Sequence, residues 1–157
     1  MGLKIKQNNV RAFILFYGLT LLSGILSYLF TNKERVSKLS MPPFIISGWL
    51  LFMLVMIILT LSSIACYIVW STDDVDRNAP LRMYILHLLA VVAWVIIFSQ
   101  LQMRFLAFMF ILCLILIAAI ILSGFRRVSM LAFYLFIPYF ISLIYWGYWN
   151  LGCYLLN

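Results

Sequence analysis

Long apolar stretches separated by short polar segments make up most of the chain. A membrane-spanning helix needs about 20 mostly apolar residues, and five stretches reach that length. They predict helices at about 10–30, 43–70, 81–101, 105–122 and 128–156. The pattern therefore predicts an all-α membrane protein, in which a bundle of five transmembrane helices forms a single domain over residues 1–157.

Proline and glycine mark two of the predicted helix ends. We expect Pro42-Pro43 to open the second helix, because the first turn of a helix has no use for the amide hydrogen that proline lacks. Ser123-Gly124, followed by two arginines, is expected to end the fourth helix. Polar segments at 31–41 and 71–80 separate the first three helices, and the second of them holds three of the four acidic residues. That segment lacks the EF-hand pattern, so we expect its aspartates to cap helices and face solvent.

The composition identifies the solvent as lipid. The chain is 67% hydrophobic and 10% charged, with a mean hydropathy of +1.14, whereas soluble domains are about 45–50% apolar and about 25% charged. The net charge of +7 comes from Lys and Arg at the segment ends, which indicates contact with lipid headgroups and not with nucleic acid. Seven basic residues (Lys4, Lys6, Arg11, Arg77, Arg82, Arg126 and Arg127) fall on one predicted side, and four (Lys33, Arg35, Lys38 and Arg104) fall on the other. This bias favours a cytoplasmic N-terminus.

The fifth predicted helix has a polar stripe. At about 100° per residue, six of its side chains fall within one arc: Tyr139, Ser142, Trp146, Asn150, Cys153 and Asn157. Unpaired polar groups are costly in hydrocarbon, so we expect this stripe to face protein or a cavity.

The sequence lacks the residue patterns that most catalytic sites need. One histidine and three scattered cysteines cannot form a metal site, and no glycine-rich phosphate loop or nucleophile elbow is present. All four acidic residues lie outside the predicted helices, which argues against an ion-coupled carrier. We predict no catalytic residues, no metal and no required cofactor.

His87 lies inside the third predicted helix, where Trp94 and Phe98 share its face and Val91 lies at the edge. Two interpretations stay open: an imidazole hydrogen-bonded between helices, or one that contacts a heterocycle or haem-like ligand. Tyr84, near a helix end, fits an interfacial aromatic belt. Aromatic walls with a few polar groups are typical of a pocket for a flat hydrophobic ligand.

Several motifs occur in the order and spacing of a known family: Tyr17-Gly18; Pro42-Pro43 with Gly48; Trp94, Phe98 and Ala107; and Pro138-Tyr139 with Asn150 and Asn157. Over nearly its whole length the chain resembles the TspO/translocator protein family, the tryptophan-rich sensory proteins related to the peripheral benzodiazepine receptor. The resemblance implies a five-helix bundle, a homodimer, and a pocket under the first loop that binds porphyrins. In some members that pocket binds sterols or synthetic ligands. It also implies a multi-pass location in a bacterial cell membrane.

The chain departs from the family pattern around this pocket. Ser40, Leu51 and Ser142 stand where the family has tryptophan, Trp146 replaces a small residue, and Val91 replaces asparagine. Some bacterial members are associated with light-dependent porphyrin breakdown that uses two of the missing tryptophans. Their loss argues against that activity here. From the exchanged positions we expect a rebuilt pocket, in which Trp146 fills the space left at Ser142 and Leu51.

The leading hypothesis is a non-enzymatic membrane receptor or carrier that binds a porphyrin or another haem-pathway tetrapyrrole, haem included. Its partners would be that ligand, the bilayer and a second copy of the chain. Two alternatives stay open: a light-dependent porphyrin-degrading enzyme, and a ligand-free structural protein that acts through partners. The expected pocket is walled by Leu51, Val55, His87, Val91, Trp94, Phe98, Ser142, Trp146 and Asn150.

Overall fold

The computed structural model describes residues 10–157, and its regular elements there are all helical. In chain order they are α1 (Val10–Phe30), α2 (Lys33–Ser37), α3 (Gly48–Ser71), a 3₁₀ turn (Val75–Arg77), α4 (Asn78–Val95) continued by a π-helix (Ile96–Gln100), α5 (Arg104–Val128) and α6 (Met130–Leu156). Five of the helices, all except α2, are long and apolar enough to cross a membrane. The predicted class, an all-α bundle with five spanning helices, is confirmed.

The spanning helices pack as a closed ring. α1 lies between α3 and α4, α6 lies between α3 and α5, and α4 packs on α5. Because successive spanning helices reverse direction, the end of α1, the 31–47 connector, the 101–103 turn and the end of α6 share one side, here called the connector side. Arg11 and the 72–77 loop lie on the other side. Lys4 and Lys6, two of the seven basic residues predicted on that side, lie outside the described residues.

The prediction that Pro42-Pro43 opens the second spanning helix is wrong. That helix, α3, begins only at Gly48. Pro42 instead packs against Gly152 of α6, so closely that a Cβ on Gly152 would lie 2.4 Å from the Cβ of Pro42. The prolines serve a tertiary contact, and the chain turns into α3 only after passing it.

The predicted end of the fourth spanning helix at about residue 122 is also wrong. The helix continues through Ser123 and Gly124 to Val128. Gly124 lets α5 approach α4 closely, because a Cβ there would lie 2.8 Å from the Cβ of Pro80. Ser129 alone separates α5 from α6, and its side chain caps α6 by accepting from the Ala132 N–H.

The third spanning helix begins slightly before its predicted start, and its last turn is wider than an α-helix. It begins at Asn78 with Pro80 in the first turn, where proline is tolerated. Over Ile96–Gln100 the backbone is π-helical, with the Leu101 N–H donating to the Ile96 carbonyl five residues earlier at 3.1 Å. Such segments are frequent at functional sites.

Five of the six side chains in the polar stripe of α6 face inward, as predicted, and the sixth, Asn157 at the end of the chain, is exposed. Tyr139, Asn150 and Cys153 are buried, and Ser142 and Trp146 are half-buried. In the 72–77 loop the Asp74 carboxylate accepts the Asp76 N–H at 2.8 Å and caps the 3₁₀ turn, as expected. In the described range no group of three or more His, Cys, Asp or Glu side chains could hold a metal ion.

Candidate functional site

Four aromatic side chains of α4 and α6 meet near the connector side. Trp94 lies 6.1 Å from Phe98 and 6.1 Å from Trp146, measured between ring centroids. Trp149 closes the group, 4.8 Å from Phe98 and 5.7 Å from Trp146. We call these four residues the aromatic cluster. Helical spacings of three or four residues place both members of each pair on one helix face.

Neighbouring elements enclose the aromatic cluster. Ala107 and Ile111 of α5 are fully buried beside it, and Val36 and Leu39 of the connector pack over it. A cavity of about 10 Å³ lies between this connector roof and Phe98. The small side chain of Ala107 leaves room for the bulky rings of α4 and α6.

Hydrogen bonds connect the edge of this roof to the π-helical segment. The Ser99 hydroxyl and the Gln100 side-chain amide both donate to the Phe30 carbonyl, each at 2.9 Å. The Arg35 guanidinium donates to the Gln100 carbonyl at 2.6 Å. The π-helical segment thus joins the end of α1 and the short helix α2 to the aromatic cluster.

Three predicted site residues carry buried polar atoms without a partner. Both ring nitrogens of His87, the indole nitrogen of Trp94, and the amide nitrogen and oxygen of Asn150 form no hydrogen bond to any described residue. Buried polar side-chain atoms in native proteins are nearly always paired. Among the described residues the Ser27 hydroxyl of α1 is also buried without a partner. The polar atoms of His87, Trp94 and Asn150 are therefore available to a ligand.

His87 lies deeper than the aromatic cluster. Its ring packs in a T-shaped arrangement with the Tyr139 ring, with 5.7 Å between the ring centroids, and it is 1% exposed. Of the two predicted interpretations, the interhelical hydrogen bond is not formed within the described structure.

The prediction that Tyr84 belongs to an interfacial aromatic belt is wrong, because its side chain is fully buried. Its hydroxyl lies 2.9 Å from the Thr20 hydroxyl and 3.1 Å from the Ser62 hydroxyl, which joins α4 to α1 and α3. Thr20 and Ser62 also lie within bonding distance of backbone carbonyls of their own helices. We call these three hydroxyls the Tyr84 node.

The other predicted pocket residues lie in three different environments. Val91 packs against the aromatic cluster, alongside Trp94, Phe98 and Trp146. Leu51 and Val55 are half-buried on α3 and are not among the residues of the two apolar cores. The Ser142 hydroxyl donates to the Tyr139 carbonyl of its own helix at 2.7 Å. Its proton is therefore not available for a hydrogen bond to a ligand.

Sequence reasoning missed Trp149, Val36 and Leu39. Trp149 follows Trp146 by three residues, so helical spacing from Trp146 was a usable signal. Val36 and Leu39 carry no such signal, because they lie in a polar segment whose path over the bundle is set by contacts with α4 and α6.

The chain matches the sequence model of a known protein family. The sequence model of the TspO/MBR family matches residues 16–155, which is nearly the full chain. No curated protein matches the chain.

Proposed function

The chain belongs to the TspO/MBR family, and we propose that this multi-pass membrane protein is a receptor or carrier for a flat hydrophobic ligand. A porphyrin or a related haem-pathway tetrapyrrole has the required chemistry. It combines a broad apolar face with polar edge groups, which suit an aromatic wall bordered by polar side chains. Homodimer formation and location in a bacterial cell membrane stay predictions.

The unpaired polar atoms of Trp94, Asn150 and His87 carry this proposal. The Trp94 indole N–H can donate a hydrogen bond, the Asn150 amide can donate and accept, and a neutral His87 can do either. A buried polar atom without a partner costs about 1–3 kcal/mol, and a ligand that pairs it offsets that cost. The aromatic rings would add apolar contact worth about 25 cal/mol per Å² of area removed from water.

The described conformation is closed. The cavity under the connector roof holds about 10 Å³, whereas ligand pockets measure about 300–1,000 Å³. Binding of a tetrapyrrole therefore requires the roof residues Val36 and Leu39 to lift, or Trp146 to rotate. Trp146 is half-buried, so its ring is less constrained than that of Trp94, which is 7% exposed.

Titration of the purified protein with protoporphyrin IX tests the proposal. We expect saturable quenching of tryptophan fluorescence together with a shift of the porphyrin's Soret band. Trp94→Ala and Trp146→Ala should each weaken binding by about tenfold or more, equivalent to about 1.4 kcal/mol. The Soret shift reports binding even where a substitution removes a fluorophore.

Trp49→Phe is the matched control, because Trp49 is 72% exposed and lies outside the aromatic cluster. It should leave the affinity unchanged. The proposal fails if quenching does not saturate, or if Trp49→Phe weakens binding as much as the cluster variants do. Illumination of the bound complex separates the enzymatic alternative: a receptor leaves the Soret band intact, whereas an enzyme bleaches it at a rate that depends on Trp94 and Trp146.

A further inference from the structure

The connector between α2 and α3 continues past the roof as an irregular segment that follows α6. At its start, the Asn157 side chain pairs with Ser40 in both directions. The Ser40 N–H donates to Asn157 Oδ1 at 2.8 Å, and Asn157 Nδ2 donates to the Ser40 carbonyl at 2.9 Å. We call residues 40–47 the descending segment.

Successive residues of the descending segment meet positions progressively earlier in α6. Pro42 lies on Gly152, the Tyr148 hydroxyl donates to the Pro43 carbonyl at 2.6 Å, and the Ile46 N–H donates to the Tyr145 hydroxyl at 3.2 Å. The segment therefore runs from the tip of α6 back toward the middle of the bundle.

The position along α6 gives the depth of this segment. The 27 residues of α6 span about 40 Å at 1.5 Å per residue, whereas the hydrocarbon layer is about 30 Å thick. If the excess length of about 10 Å is divided equally between the two ends of α6, about 5 Å of helix extends past the layer at each end. Gly152 lies about 6 Å and Tyr148 about 12 Å before Leu156, the last residue of the helix, so Gly152 lies at the edge of the layer and Tyr148 lies within it.

The sequence of the segment suits that depth. No charged residue occurs between Lys38 and Asp73, so the charged part of the connector ends before the descending segment begins. Met41, Phe44 and Ile45 are nevertheless exposed, Phe44 to 88%. In water such a surface is unfavourable, whereas acyl chains cover it without cost.

Part of the backbone of the segment is paired by α6. Unpaired backbone groups are costly in hydrocarbon, and each group that is paired lowers the cost of placing the segment in the bilayer. Two of the eight residues are prolines, which have no N–H to pair. The α6 side chains described above pair four more groups: the N–H and carbonyl of Ser40, the Pro43 carbonyl and the Ile46 N–H.

Phe44 has a left-handed backbone conformation, with φ of 64°, which is uncommon for a bulky residue. The two tyrosine hydroxyls hold Pro43 on one side of it and Ile46 on the other. Phe44 itself is 88% exposed, so its side chain is not packed on α6.

We propose that the descending segment is immersed in the bilayer and that its Phe44–Ile45 surface binds lipid acyl chains. The partner of this surface is thus lipid, and the connector roof is anchored to the membrane next to α6. The proposal does not depend on any tetrapyrrole.

Collision measurements on a spin label test the depth. A nitroxide is attached to Phe44→Cys in a Cys113→Ala background, because Cys113 is an exposed native cysteine, and the protein is reconstituted in phosphatidylcholine–phosphatidylglycerol vesicles. Ile57→Cys provides a lipid-facing reference, since Ile57 is 59% exposed on α3, and Val75→Cys provides an aqueous one, since Val75 is 95% exposed in the 72–77 loop. The Cys113→Ala parent reports any labelling of the buried cysteines.

We expect the label at Phe44 to collide with oxygen and avoid the water-soluble nickel complex, as at Ile57. Its oxygen-to-nickel collision ratio should be several-fold higher than at Val75. A ratio equal to that at Val75 would overturn the proposal. So would protection from both reagents with dipolar broadening between labels, because that result would mean that a second copy covers the surface. If Phe44→Cys does not fold, Ile45→Cys carries the same test.

Discussion

Two buried polar side chains only one helical turn apart on α4 differ in their hydrogen bonding. The Tyr84 hydroxyl is buried and lies within bonding distance of two hydroxyls from other helices. His87, three residues later, is equally buried and has no partner among the described residues. Further toward the connector side, the indole of Trp94 and the amide of Asn150 are also unpaired.

The difference comes from what faces each position. Tyr84 points at Thr20 of α1 and Ser62 of α3, so its hydroxyl finds partners of the right type. The His87 ring packs in a T-shaped arrangement with the Tyr139 ring, and no described group accepts from or donates to its nitrogens. The comparison teaches that burial and polarity together do not define a ligand site, since the Tyr84 node combines both and is complete in itself. The candidate site is distinguished by unpaired atoms on α4 and α6, the two helices that supply the aromatic cluster.

Removing the centre of the paired region should have the largest effect. Tyr84→Ala deletes a fully buried ring and breaks the node, and truncation of a buried aromatic costs about 3–5 kcal/mol. We expect the SDS-induced unfolding midpoint in mixed micelles to fall accordingly. An unfolding free energy within about 1 kcal/mol of the parent value would show that the node does not hold α1, α3 and α4 together.

Gly152→Ala should have the next largest effect, and it acts on the connector side alone. The added Cβ would lie 2.4 Å from the rigid ring of Pro42, so the descending segment must shift, at about 1–3 kcal/mol. Unfolding free energy measures the loss. Gly18→Ala is the matched control, because no atom lies within 4 Å of its added Cβ. Equal losses in the two variants would contradict the contact.

Tyr84→Phe isolates the hydroxyl from the ring. Hydrogen bonds between membrane helices contribute on average about 0.6 kcal/mol, with a maximum near 1.7, and Thr20 and Ser62 can still donate to carbonyls of their own helices. We expect a loss of stability within that range in the same unfolding assay. A gain in stability would remove the distinction between the two regions.

Substitutions in the unpaired region should have the smallest effect on stability. His87→Leu and Asn150→Leu remove buried polar atoms without breaking any hydrogen bond in the described structure, so stability should stay within about 0.5 kcal/mol of the parent or rise. Both variants should still weaken protoporphyrin binding in the Soret titration. A clear loss of stability would assign these residues to the fold and not to a ligand.

Part of the candidate site was predictable because it depends on helical spacing alone. Helical spacing places Trp94 and Phe98 on one face of α4 and its π-helical continuation. It places Trp146 and Asn150 on one face of α6, and in the structure both faces point to the interior. Leu51 and Val55 were also predicted to line the pocket, but spacing on α3 does not say which neighbour that helix turns toward. In the structure neither residue belongs to the two apolar cores.

The sequence by itself determined the class of the protein. Apolar stretches of about 20 residues in lipid have few alternatives to spanning helices, because every backbone group must be paired within the segment. It also determined the inward face of α6, since polar side chains cannot be left in hydrocarbon.

Only the tertiary structure decided where helices begin and end and which polar groups are paired. Gly124 continues its helix because it lies against Pro80, and Pro42 stays outside a helix because it lies against Gly152. Tyr84 is paired and His87 is not because of what α1, α3 and α6 place opposite them. Each of these outcomes depends on contacts between residues far apart in the chain, which local propensity and periodicity do not encode.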